Sequence, residues 1–346
     1  MESFTWGLAI ILLASVFQGS FVVPMTYAKG WKWENSWLLF SILGMIVFNW
    51  GLAFGTVPRL CSVYAATPPL QLATPLVFGL LWGIGAICFG LGMAAMGLAL
   101  GYAIIMGLVL GMGAFIPMIC LHPHDILTFK GVVVLFGLGV MVLGILLSGF
   151  AGKIKESEQK GRTGTITQAS NVSLGVGFLI CLIAGIFSSF NNVGYSLSES
   201  LIQQAQTQGA SPRWAGNASW ALIFTAGGVI NIAYSLYLMS RNRTFAVYKQ
   251  PGFVKNFVLI AFMSLMWIGS FVLYGVGAEK MGQWGTVIGW SVFIALSIAF
   301  GTLWGIFQGE WAGTQQKSRR IMAMSFCVLL VAIVIFAWST QCLGWQ

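Results

Sequence analysis

The chain has 346 residues, of which 58% are hydrophobic and only 7% charged, and its formal net charge is +9. A soluble domain carries about 25% charged residues, and one of this size could neither hide nor cover so much apolar surface. Soluble enzyme, nucleic-acid binder and disordered protein are excluded on this ground, which leaves a protein whose solvent is lipid; the mean hydropathy of +0.87 agrees.

In chain order, ten apolar runs are long enough to cross the hydrocarbon core, which takes about 20 residues of helix. They lie near 4–28, 36–57, 70–95, 98–120, 129–151, 173–197, 216–240, 256–278, 284–307 and 320–343. The runs are continuously apolar, whereas barrel strands alternate over about ten positions, so the prediction is an all-α integral membrane protein. The first run is too long, and its Gln18 and Pro24 too unusual, for a cleaved signal peptide. Spans three and four meet at Met96-Gly97 with almost no connection.

Every charged residue falls in a connection or at a span end. One alternate set of connections holds Lys29, Lys32, Lys153, Lys155, Lys160, Arg162, Arg241, Arg243, Lys249, Lys255, Lys317, Arg319 and Arg320; the other holds Arg59, Lys130, Arg213 and Lys280. Basic loops stay in the cytoplasm, so the first set is expected inside, with both termini outside. The positive charge is then a topology signal, and no nucleic-acid partner is needed to explain it. The six cysteines form no CxxC pair, so no metal or redox site is implied and apolar packing accounts for them. No cofactor is expected.

The longest polar connection, 152–172, divides the chain into 1–151 and 173–346, each with five spans. The halves resemble each other. Leu13 to Phe17 match Ile183 to Phe187, Trp82 and Phe89 match Trp267 and Tyr274, and Met96-Gly97 match Met281-Gly282. Five is odd, so the second half must enter the membrane in the opposite sense. Two inverted five-helix repeats are the architecture of secondary transporters, which expose one central site alternately to each side. No P-loop and no large soluble domain suggest an ATP-driven pump.

The stretches VFQGSFVVPMTYAKGWKWENSW (16–37), FGLLWGIGAICFGLGMAAMGLALGYAI (78–104), AGIFSSFNNVGYS (184–196) and GGVINIAYS (227–235) carry a family resemblance. So does the run from Leu265-Met266-Trp267 through Tyr274-Gly275 to Gly305 and Glu310-Trp311. Their order and spacing resemble the bacterial L-rhamnose–proton symporter family, within the drug/metabolite transporter superfamily. The resemblance implies a multi-pass inner-membrane carrier importing a neutral sugar, L-rhamnose or a related deoxysugar, with a proton or another coupling ion. The family pattern has an aspartate at the start of span nine where this chain has Thr286, so the proton-carrying residue is left unassigned. An exporter of small neutral or amino-acid-like compounds is the alternative. A membrane enzyme would have only His122, His124 and Asp125 to work with.

A sugar site in lipid needs neutral hydrogen-bonding groups and aromatic faces. Intramembrane polar residues are costly unless they face a cavity or a neighbouring helix. The amides Gln18, Asn191 and Asn192 are the best candidates. Gln18 aligns with Ser188, and Asn192 stands one turn further on. Trp82 with Phe89, and Trp267 with Tyr274, are each seven apart and share a helix face, at matched positions of the two halves. Trp290 completes the expected substrate site, with Trp220 and Asn217 as further candidates of equal weight to it; Asn49 and Asn231 fit helix-to-helix bonding. Five GxxxG pairs, among them Gly79-Gly83 and Gly107-Gly111, permit close helix approach.

Overall fold

A computed structural model describes residues 2–163, 173–309 and 311–342. The 164–172 part of the expected linker and Glu310 lie outside the described residues, and the side chain of Cys342 is not among those described. Ten helices are long and apolar enough to cross a membrane: α1 (Ser3–Thr26), α2 (Trp33–Thr56), α3 (Pro69–Met96), α4 (Leu100–Leu121), α5 (Phe129–Glu158), α6 (Gly175–Thr207), α7 (Pro212–Asn242), α8 (Phe253–Lys280), α9 (Gly282–Phe307) and α10 (Gln316–Phe336). The described residues contain no strand. Helices satisfy their own backbone groups, which lipid cannot do.

The expected ends shift where polar residues are good helix formers. The helix that contains α5 runs on to Thr163, through the front of the expected linker, because Lys, Glu and Gln carry a helix readily past the membrane. Helix α6 likewise continues past Ser196 into the amphipathic turn Glu199–Thr207. Spans three and four are separate helices because Gly97 sits at φ 84°, a conformation open to glycine. Two spans are locally underwound: Ser41–Phe48 within α2 and Gly285–Gly289 within α9 form π-helix. Cys61, Cys88, Cys120, Cys181 and Cys327 are all free.

The helices pack chiefly across the two halves. Helix α1 lies along α8 and α9, and α2 along α8; α6 lies along α3 and α4, and α7 along α3. Exchanging α1 to α5 for α6 to α10 turns the first three pairings into the last three. Helices α2 and α7 pack on each other, and α5 and α10 form their own extensive pair.

At one end the first turn of α2 is tied to the end of α7 and the loop that follows it. The Asn242 amide and the Thr244 hydroxyl donate to buried Glu34, the Asn35 amide donates to the Thr244 carbonyl, and Tyr248 donates to the Asn35 carbonyl. Burial pushes the Tyr248 phenol up to about 12, so it remains a donor at any ordinary pH. Asn49 and Asn231 do bond between helices: Asn49 donates to the Trp220 and Ala221 carbonyls, and Asn231 accepts from Trp37 Nε1.

The glycine pairs differ in what they do. A Cβ on Gly79 would run into the Ile223 carbonyl, and one on Gly83 would stand 2.8 Å from Gly227 Cα, so this pair sets the approach of α3 to α7. Gly107 has nothing within 4 Å of its would-be Cβ. Overpacking of a tight contact costs about 1–3 kcal/mol. Gly79→Val is therefore expected to lower the unfolding midpoint of the detergent-solubilised protein by a readily measured margin. Gly107→Val should leave it nearly unchanged. A thermal scan of both variants decides the matter.

Candidate functional site

Half-way along the bundle the aromatic residues of both halves converge. Trp82 from α3 and Trp267 from α8 stack with ring centres 6.0 Å apart and planes 19° apart. Phe40 from α2 meets Trp267 edge-on at 5.3 Å, and Phe224 from α7 meets it at 4.6 Å. Further along α7, Trp220 lies flat between Phe224 (4.9 Å, 5°) and Tyr195 of α6 (4.2 Å, 4°). Phe271, Tyr274, Trp290 and Phe293 continue the block into α8 and α9. All these rings are buried. Each such pair adds about 0.5–1.5 kcal/mol beyond its burial, so the block is a cohesive plug.

Asn192 organises the polar side of the plug. It is fully buried. Its Nδ2 donates to the Gly113 carbonyl of α4 at 2.7 Å and to the Thr286 carbonyl of α9 at 3.0 Å, while its Oδ1 accepts from the Tyr274 hydroxyl of α8. One side chain thereby joins α6 to three other helices. Trp290 Nε1 adds a second α9–α4 link by donating to the Val109 carbonyl at 3.0 Å. A Cβ on Gly113 would collide with this indole, so glycine there makes room for it.

The other expected site residues are placed differently. Asn191 accepts from the backbone N–H of Asn192 at 2.7 Å, which fixes its own helix turn. Gln18, half-buried on α1, accepts from Ser270 of α8 at 2.7 Å. Phe89 is not in the block: it packs edge-on against Tyr102 at 6.0 Å, two turns along α3 from Trp82. Thus Trp82, Asn192, Trp267, Tyr274 and Trp290 are brought together, Asn191 and Gln18 sit at the margin, and Phe89 belongs to another region.

Two open volumes flank the plug. One, of about 570 Å³, is lined by His122, Tyr195, Ser196, Glu199, Gln203, Gly216, Glu279, Gln283 and Thr286, among others. The second, of about 600 Å³, opens near the opposite, lysine- and arginine-rich end and includes Met93, Tyr102, Ser148, Lys155, Glu156, Thr302 and Trp311 in its wall. Lys155 Nζ stands 5.0 Å above the Trp311 ring. At the first vestibule the His122 ring stacks on Trp284 at 4.3 Å, and its Nε2 donates to the Gln283 carbonyl at 3.0 Å. Asp125 lies 3.7 Å from the other ring nitrogen. The histidine thus clips the end of α4 to the start of α9.

Tyr195, Gly216 and the Thr286 carbonyl are the residues that reading by residue type passed over. Tyr195 had a signal: it follows Asn192 by three positions, on the same helix face. The carbonyl had none, because it is made available by the π-helical turn at Gly285–Gly289.

A family model described as L-rhamnose-proton symport protein (RhaT) matches residues 2–341. Among curated proteins, an "L-rhamnose-proton symporter" of Yersinia pestis (strain Pestoides F) is 25% identical over 334 residues, covering 94% of this chain and 95% of that protein. One of the same name from Shigella dysenteriae serotype 1 (strain Sd197) is 23% identical over 338 residues, covering 96% of each.

Removing the Asn192 amide would leave the Gly113 and Thr286 carbonyls and the Tyr274 hydroxyl short of a partner in a region water does not reach. A buried polar group so orphaned costs about 1–3 kcal/mol. Asn192→Ala is expected to lower the thermal midpoint markedly, and more than Asn191→Ala, whose loss breaks one local bond. Equal midpoints for the two variants would contradict the joint described here.

Proposed function

Since the chain belongs to the L-rhamnose-proton symport protein family, we propose that it imports L-rhamnose, coupled to protons, by alternating access across an inner membrane. The match over residues 2–341 carries the choice of sugar and does not favour the exporter alternative. The protein is a membrane transporter and not an enzyme. On this reading it takes a place in the drug/metabolite transporter superfamily. The ten spans form two inverted halves, 1–151 and 173–346, joined by 152–172. The exchange of packing partners between the halves supports that symmetry, and so do the matched tryptophans at 82 and 267.

The loop charges support a cytoplasmic position for the basic end and outer positions for both termini. The Glu279 vestibule is then the outer mouth and the Lys155 cavity the inner one. Sugar enters from outside, reaches the face of the plug formed by Tyr195 and Thr286, and passes as the links from α4 to α6 and α9 part on one side and re-form on the other. Trp82, Trp267 and Tyr274 offer aromatic faces to the apolar side of a deoxysugar ring. Asn192 and Gln18 offer hydrogen bonds to its hydroxyls; Asn191 and Trp290 act as supports. The hydroxyls of a sugar can replace bonds that break inside the plug, which an apolar solute cannot do. The coupling group belongs to the titratable residues at the outer mouth, His122, Glu199 and Glu279, because no carboxylate lies deep in a span.

Uptake of labelled L-rhamnose into proteoliposomes tests this reading. An inward proton gradient should stimulate uptake several-fold, and other sugars should compete poorly. Trp267→Ala should abolish it, because the variant removes the ring at the centre of the plug while the protein remains in the membrane. Uptake indifferent to the gradient would leave a facilitator, and no uptake by folded protein would end the proposal.

A further inference from the structure

Inside a plug where nearly every polar atom is paired, the indole Nε1 of Trp220 has no partner. The residue is 1% exposed, and an unbonded N–H at that depth is destabilising. Its direction is fixed, because the ring is clamped flat between Tyr195 and Phe224. The Tyr195 hydroxyl comes to the same place. The position a Cβ would take on Gly275 is 3.0 Å from Tyr195 Oη and 3.3 Å from Trp220 Nε1. Glycine at 275, itself buried, keeps any side chain out from between the two donors. Tyr195 itself lines the outer vestibule, as does Ser196, whose Oγ is also buried without a partner.

We infer that Trp220 Nε1 and Tyr195 Oη are the specificity-determining donors of the transporter, receiving one hydroxyl of the incoming sugar at Gly275, on the outer face of the plug. The inference rests on the sugar-import reading and adds the residues that tell one sugar from another. A site built to bond a hydroxyl rejects the analogue that lacks it, because the site's own groups are then left unpaired. Aromatic lining alone discriminates far less. The stack also explains why an indole is used: it holds its single N–H rigidly, at little entropic cost on binding.

The test uses the full chain in proteoliposomes, with L-rhamnose and its monodeoxy analogues as substrates. Tyr195→Phe keeps the ring stack and removes only the hydroxyl. Replacing Trp220 by benzothienylalanine, through nonsense suppression, keeps the bicyclic ring and removes only the N–H. Each variant is expected to raise KM for L-rhamnose about tenfold with no fall in its thermal midpoint, and loss of the unpaired Trp220 N–H should raise that midpoint. For one monodeoxy analogue, the one lacking the recognised hydroxyl, variant and wild type should show the same KM. Gly275→Ala, which fills the approach, should remove the rise in thermal midpoint that L-rhamnose gives the wild type. An unaltered KM in both donor variants, or a loss that is equal for every analogue, would overturn the inference and leave the two groups to a trapped water or to packing. Absence of L-rhamnose uptake by the wild type would instead overturn the import reading, and this inference with it.

Discussion

Lipid offers no replacement for a broken hydrogen bond, and the centre of this bundle is arranged around that fact. The Asn192 amide has both its hydrogens and its oxygen engaged, on three helices other than its own. In water such bonds exchange at little cost. In a dry interior each is held by the penalty of leaving its partner bare. A closed plug of this kind is held by its own paired polar groups, and on the proposed import reading it opens toward a solute that brings its own donors and acceptors. A neutral, hydroxyl-rich solute meets that requirement, and the protein needs no buried charge to attract it.

The aromatic stack and the glycines serve the same end from opposite sides. Trp220, Phe224, Trp267 and Trp82 fill the middle with large flat surfaces, which can slide over one another with less disruption than interlocked branched side chains. Gly79 and Gly83 bring α3 close against α7, and Gly113 admits the Trp290 indole between α4 and α9. The two π-helical stretches lie in α2 and α9, both of which pack against the plug. Such turns loosen the regular backbone pairing, and they recur at functional sites. Helices α5 and α10, packed mainly on each other and lacking such stretches, are suited to hold the frame.

Much of this was legible in the sequence. All ten helices follow from runs of apolar residues, because the thickness of a bilayer sets a length that composition either meets or misses. The meeting of Trp82 with Trp267 was readable from their matched positions in the two halves; Trp290 had no such match, and Asn192 stood one turn from the position that aligns with Gln18. What sequence could not supply was direction around a helix axis. Phe89 shares a face with Trp82 in a helical projection, yet two turns of rise carry it to the Tyr102 contact. Gly107-Gly111 has the same spacing as Gly79-Gly83, but nothing lies within 4 Å of where a Cβ on Gly107 would stand. Spacing says which residues can meet a neighbour; only packing says whether a neighbour is there.

Residue type is equally silent on whether a polar group is already spent. Asn192 and Trp220 are both buried, both polar and both set in the central plug. By composition the asparagine is the better ligand for a sugar, with two donors and an acceptor against one. Counting bonds reverses the order. Asn192 is saturated by the protein itself and ties α6 to three other helices; on the proposed reading a substrate would have to compete for those bonds. Trp220 carries a donor that the fold has aimed and left unpaired, at a cost in stability that packing does not recover. A fold tolerates that cost where a ligand removes it, so gating and recognition fall to different residues of one plug, and the unpaired atom marks the second.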